Sequence, residues 1–187
     1  MIQIIAILCL AIYGAIISLL VGLKLDIAKR FGLNDTKVGL LFSSFMLAGA
    51  IGVVFLSSMI DVLGHRTVTV FGFTFTALAL LLLAFVRTYR QTLVMYVVMS
   101  IGAMCIISVG NTILPHVLFD GSNESAATNL GNAFYGVGAF LVSYYLTGML
   151  LRFGYTRTVV AFSVMVLICA VLSLFAEYPV IVSAFSF

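Results

Sequence analysis

Met59-Ile60-Asp61-Val62-Leu63-Gly64-His65-Arg66-Thr67-Val68 closes one long apolar block of the chain, and Met149-Leu150-Leu151-Arg152-Phe153-Gly154-Tyr155-Thr156-Arg157-Thr158-Val159 closes another. The second stretch matches the first with one residue inserted. Each follows the second of three apolar blocks, so the chain reads as two three-helix units. Three crossings is an odd number. The second unit must therefore enter a membrane from the opposite face, which makes the pair an inverted repeat of the kind that builds secondary transporters.

The blocks on either side support this reading. A helix needs about 20 mostly apolar residues to cross about 30 Å of hydrocarbon. Six blocks are long enough, at approximately 4–23, 37–60, 67–86, 91–116, 127–151 and 157–177. Lys24–Thr36, Asp61–Arg66, Arg87–Gln91, Phe119–Ser125 and Arg152–Arg157 form short polar breaks between them. The predicted fold is an all-α integral membrane protein, a single bundle over residues 1–187 with six spans as a 3+3 inverted repeat. An even number of spans puts both termini on one side, and the stretch from Tyr178, with Pro179, is too short to cross again.

Composition agrees. Of 187 residues, 64% are hydrophobic and 8% charged, with mean hydropathy +1.29. A water-facing domain carries roughly 25% charged residues. Met1 to Val21 has no basic leader and no small-x-small cleavage site, so it reads as a retained first span. Cys9, Cys105 and Cys169 each fall inside an apolar block and read as buried small apolar residues. The net charge of +3 is scattered between blocks, which excludes a nucleic-acid stripe. With no metal-spaced cluster, phosphate loop or nucleophile–base pair, neither an enzyme nor a cofactor is expected.

The stretch Ser57-Ser58-Met59-Ile60-Asp61-Val62-Leu63-Gly64-His65-Arg66 resembles the signature G-x-L-x-D-R-x-G-R-R of the major facilitator superfamily. Asp61, Gly64 and Arg66 match it; Ser57, Val62 and His65 depart. Phe31-Gly32-Leu33 with Val38-Gly39-Leu40-Leu41-Phe42-Ser43 is similar to the family's approach to helix two. Asn111 and Asn129-Leu130-Gly131-Asn132-Ala133-Phe134-Tyr135-Gly136-Val137-Gly138-Ala139 look like the sugar-transporting branch that includes fucose permease. The resemblance covers nearly the whole chain, as the amino-terminal six-helix half of a twelve-helix carrier.

Polar residues inside the spans carry the functional reading. Asn129 and Asn132, then Gly136, Ala139 or Phe140, Ser143 and Thr147, recur at helical spacing along span five, and Ser108 and Asn111 pair on span four. An amide in hydrocarbon needs a partner, because its bare donors and acceptors cost several kcal/mol. Such a face serves either as glue between helices or as the wall of a water-filled cavity. The resemblance selects the cavity, since the family's sugar contacts fall at Asn111, Asn129 and Asn132. Amides offer both donor and acceptor to hydroxyl groups. Tyr13 and Tyr135 are candidates to stack on a sugar face, or are ordinary packing.

The resemblance also implies that Asp61, Gly64 and Arg66 form a gate on the cytoplasmic side. Asp61 would meet the positive end of a partner helix, and Gly64 would allow a tight turn. Proton-coupled relatives use carboxylates on helices one and four; the best-aligned positions here are Val21 and Ile107, which cannot titrate. Facilitated diffusion is therefore expected, with His116 the one titratable alternative near a span. Orientation is contested. Lys24, Lys29, Arg30, Lys37, Arg87, Arg90, Arg152 and Arg157 all lie opposite Arg66, so the positive-inside count would put them in the cytoplasm. The resemblance puts both termini there instead, and that topology is adopted.

The expected protein is a multi-pass carrier of the cell membrane for a small neutral solute, most plausibly a monosaccharide. It would work by alternating access as a parallel homodimer, helices two and five of each copy meeting five and two of the other. Efflux of lipophilic compounds stays open on the strength of Met46, Met95, Met99, Met104 and the many Phe residues. So does a non-transporting membrane subunit that needs a different partner chain.

Overall fold

The structure, a computed structural model, describes residues 1–179, except for the side chains of Leu56, Ser57 and Asp120. The residues after Pro179, and the departure from the signature at Ser57, lie outside what it describes. The described chain is α-helical: α1 (Ile2–Gly22), α2 (Lys24–Phe31), α3 (Asp35–Phe85), α4 (Tyr89–Val117) and α5 (Glu124–Leu174), with a single 3-10 turn at Phe119–Gly121. Among the described residues, five helical stretches are long and apolar enough to cross a membrane: Ile2–Phe31, Asp35–Phe55, Ser58–Phe85, Tyr89–Val117 and Glu124–Leu174. α5 counts once among the five, and its 51 residues exceed the roughly 20 that one crossing takes.

The two long helices are built alike. Asn34 caps α3 by accepting from the Lys37 N–H at 3.0 Å, and Asn123 caps α5 by accepting from the Ala126 N–H at 3.0 Å. An acidic residue, Asp35 or Glu124, follows each cap in the first turn, where the helix dipole favours it. Each helix then breaks at one residue: Gly64 (φ 77°, ψ 157°) and Gly154 (φ 75°, ψ 170°). This backbone conformation suits glycine and little else. Asp61–Arg66 and Arg152–Arg157 were expected to be polar loops. They are instead helical turns carried through a one-residue kink, because a single permissive residue suffices to redirect the chain. Lys24–Thr36 also differs from a plain loop. Its first part is α2, with Ile27 buried, Asp26 in the first turn and Lys29 and Arg30 in the last.

Contacts give the helix directions. Gln3 of α1 donates to the Val117 carbonyl at the end of α4 (2.8 Å), and Gly22 lies against Leu146. Tyr89, at the start of α4, donates to the Lys37 carbonyl near the start of α3 (3.4 Å). One end of the bundle thus holds Met1, Gly64, Val117 and Leu174. The other holds Lys24–Lys37, Phe85–Tyr89 and Gly154. α1 runs through the centre, burying Ile5, Cys9, Ile12, Ile16, Leu19 and Leu20. The three cysteines are free and buried. Ser163 of α5 donates to the Ala77 carbonyl of α3 (2.7 Å), tying the second arms of the two long helices together.

Candidate functional site

The first arm of α5, residues 124–153, is fixed to the bundle along one stripe. Gly131, Gly138, Val142 and Leu146 are buried. A Cβ at Gly138 would fall on the Ala11 carbonyl, and one at Gly131 would meet Leu10 and Leu114. Small residues here let α5 approach α1 closely, as membrane helices commonly do. The rest of the arm is left free. Asn129, Asn132, Gly136, Ser143 and Thr147 are exposed, in the company of Phe140, Tyr144 and Tyr145.

The residues of the expected polar face thus lie on the outside of the bundle. Asn111 on α4 is exposed too, and Ser108 is half-buried. Among the described residues, none of Asn111, Asn129 and Asn132 makes a side-chain hydrogen bond. Ser143 is different, because it shares a 2.7 Å hydrogen bond with Ser18 of α1 and is glue between helices. Tyr13 and Tyr135, far apart in sequence, meet with ring centroids 5.9 Å apart and planes tilted by 38°. Both are half-buried.

A second feature was not legible in the sequence. A cavity of about 510 Å³ opens where α1, α2, α3 and α4 diverge, lined by Val21, Lys24, Leu25, Asp35, Phe42 and Tyr96 among others. Its walls are apolar and its charges are Lys24 and Asp35. Those two residues belong to a polar break that gave no spatial signal, since only the folding back of α3 brings them together. Val21, noted as an untitratable position, is in this wall; Ile107 is half-buried on α4.

At the opposite end Asp61 is exposed, and Arg66 reaches across to the Leu174 carbonyl at 2.6 Å. The repeat reproduces this contact at the other end, where Thr156 donates to the Ala84 carbonyl at 3.4 Å. In each unit, the second residue after the kink caps the last turn of the other unit's closing helix. His65, beside Gly64, is buried with its Nε2 unpaired among the described residues. His116 is exposed in the last turn of α4. Among the described residues no group of three His, Cys, Asp or Glu is placed to hold a metal ion.

The sequence model of the Major Facilitator Superfamily matches residues 5–184. Among solved structures, the inward-open xylose transporter XylE from E. coli superposes with a TM-score of 0.76 at 13% sequence identity. The match covers 95% of this chain and 48% of that one. The chain thus spans about half the length of that transporter, and the likeness is one of fold. No curated protein matches the chain.

Proposed function

This chain belongs to the Major Facilitator Superfamily, and from that premise we propose that it carries a small neutral solute, a monosaccharide above all, across the cell membrane by alternating access. The family consists of transporters rather than enzymes. The carrying observation is the three exposed asparagines on α4 and α5, which have no side-chain hydrogen bond among the described residues. Bare amides facing hydrocarbon would cost several kcal/mol together. Facing a water-filled cavity they cost little and are free to hydrogen-bond hydroxyl groups. Asn111, Asn129 and Asn132 are the proposed solute contacts, Ser108 supports them, and the Tyr13–Tyr135 pair supplies an apolar face against which a sugar ring can lie. The similarity to a xylose transporter supports the same solute class.

A cavity of this kind needs a second bundle to close it, since the amides sit on an outer face. We assign that role to a second copy of the chain, parallel to the first, with the first arms of α3 and α5 meeting α5 and α3 of the partner. Twofold dimers use the same patch on both copies. Val21 and Ile107 carry no proton, so the transport is facilitated diffusion. Asp61, Gly64 and Arg66 form the gate, with the N-terminal end of the bundle in the cytoplasm.

Uptake of radiolabelled monosaccharides into liposomes holding only this chain tests the proposal, with and without a pH gradient. The expected result is saturable uptake that ignores the gradient and falls about tenfold in Asn132→Ala, as expected for one lost hydrogen bond. Folded, dimeric protein that moves no sugar in the panel would overturn the solute assignment. Uptake that follows the gradient would overturn the coupling assignment and direct attention to His116.

A further inference from the structure

The two ends of the bundle carry opposite charge. Lys24, Lys29, Arg30, Lys37, Arg87, Arg90, Arg152 and Arg157 are all exposed at the Gly154 end, accompanied by the carboxylates of Asp26 and Asp35 alone. The Gly64 end has Arg66 as its one Lys or Arg among the described residues, and that side chain is committed to the Leu174 carbonyl. Asp61, Glu124 and Glu177 are exposed there.

The cations are placed at the margin of the apolar surface. Arg30 lies over the rings of Phe31 (5.5 Å) and Tyr155 (5.1 Å), Arg152 over Phe153 (5.3 Å) and Lys37 over Tyr89 (6.0 Å). Tyr rings settle at the headgroup level of a bilayer, so Arg30 over Tyr155 and Lys37 over Tyr89 are held at the same depth. α2 adds a short amphipathic step, with Lys24, Lys29 and Arg30 exposed, Ile27 buried and Leu25 62% exposed. Exposed basic side chains from α2, α3, α4 and α5 thus stand together at one end of the bundle.

We propose that the Gly154 end is a binding surface for anionic phospholipid headgroups, held by Lys24, Lys29, Arg30, Lys37, Arg87, Arg90, Arg152 and Arg157. Each basic residue near a charged membrane surface contributes about 1 kcal/mol of attraction. The contact is with headgroups of whichever leaflet this end occupies, and it does not depend on the transport reading.

The test is binding of radiolabelled phosphatidylglycerol to the full chain in neutral detergent, beside phosphatidylcholine and inorganic phosphate as competitors. The variant Lys29→Gln/Arg87→Gln/Arg90→Gln/Arg157→Gln leaves the stacked cations in place. Phosphatidylglycerol should bind the wild type and be displaced by neither competitor at equal concentration. Affinity should fall severalfold in the variant, and should also fall as salt is raised. The salt series on wild-type protein decides the matter if the variant does not fold. Equal binding of phosphatidylcholine, displacement by inorganic phosphate, or binding indifferent to salt would each overturn the proposal.

Discussion

The first arms of α3 and α5 occupy the same place in the two repeats, yet they present different surfaces. Each leans on a neighbour along one narrow stripe: the α3 arm on α4 through Leu41, Phe45 and Gly49, the α5 arm on α1 through Gly138, Val142 and Leu146. Each leaves the remainder exposed. On α3 that remainder is apolar, with Leu40, Leu47, Ile51, Val54 and Phe55 standing out. On α5 it carries Asn129, Asn132 and Thr147. The architecture asks only for a close-packed stripe, so the exposed face of each arm is free to differ in chemistry.

The stripes themselves differ in how tightly they are made, and this gives the largest expected effect. A Cβ at Gly138 runs into the Ala11 backbone, which cannot move without shifting a helix. A Cβ at Gly49 meets the Met104 Cε at 2.7 Å and the Ser100 Oγ at 3.0 Å, and a methionine tip can swing aside. Gly138→Ala should therefore cost about 3 kcal/mol, in the range of an overpacked core, and Gly49→Ala about 1. The buried Cys9, Cys105 and Cys169 make a thiol-reactive dye a direct reporter of thermal unfolding. Equal midpoints for the two variants would break the distinction between the arms.

The kinks are expected to be equal instead. Nothing lies within 4 Å of a Cβ at Gly64 or Gly154, so substitution there meets conformational strain without a clash. Gly64→Ala and Gly154→Ala should each cost about 1–2 kcal/mol in the same assay. A markedly larger cost at one of them would show that the repeats differ at the turn as well as on the surface.

The smallest effect concerns the reciprocal caps. Arg66 brings a charge and a 2.6 Å contact to the carbonyl of Leu174, whereas Thr156 brings a neutral hydroxyl and 3.4 Å to that of Ala84. Losing a charged donor costs more than losing a neutral one, so Arg66→Gln should cost about 1 kcal/mol and Thr156→Val about half of that. A reversed order would mean that the Gly154 end is the more tightly closed of the two.

The ten-residue recurrence around Gly64 and Gly154 was enough to expose the repeat, because each glycine serves a local backbone need. The placement of Tyr13 against Tyr135, and of Lys24 and Asp35 about one cavity, was not readable in this way. Those residues are joined by no shared spacing; they meet because separate helices cross. Ser143 shows the same limit from the other side. At its spacing it belongs with Asn129 and Asn132, but its hydroxyl is taken by Ser18 of α1.

The sequence by itself determined that the chain is helical and spans a membrane, and where it reverses. These follow from local causes: apolar length set by bilayer thickness, backbone groups that must bond within their own segment, and glycine where φ is positive. Tertiary structure alone decided which face of each helix is buried, since a stripe becomes an interface only when a neighbour arrives at the right angle and distance. It left the amides of α4 and α5 uncovered and set Lys24 and Asp35 about one cavity.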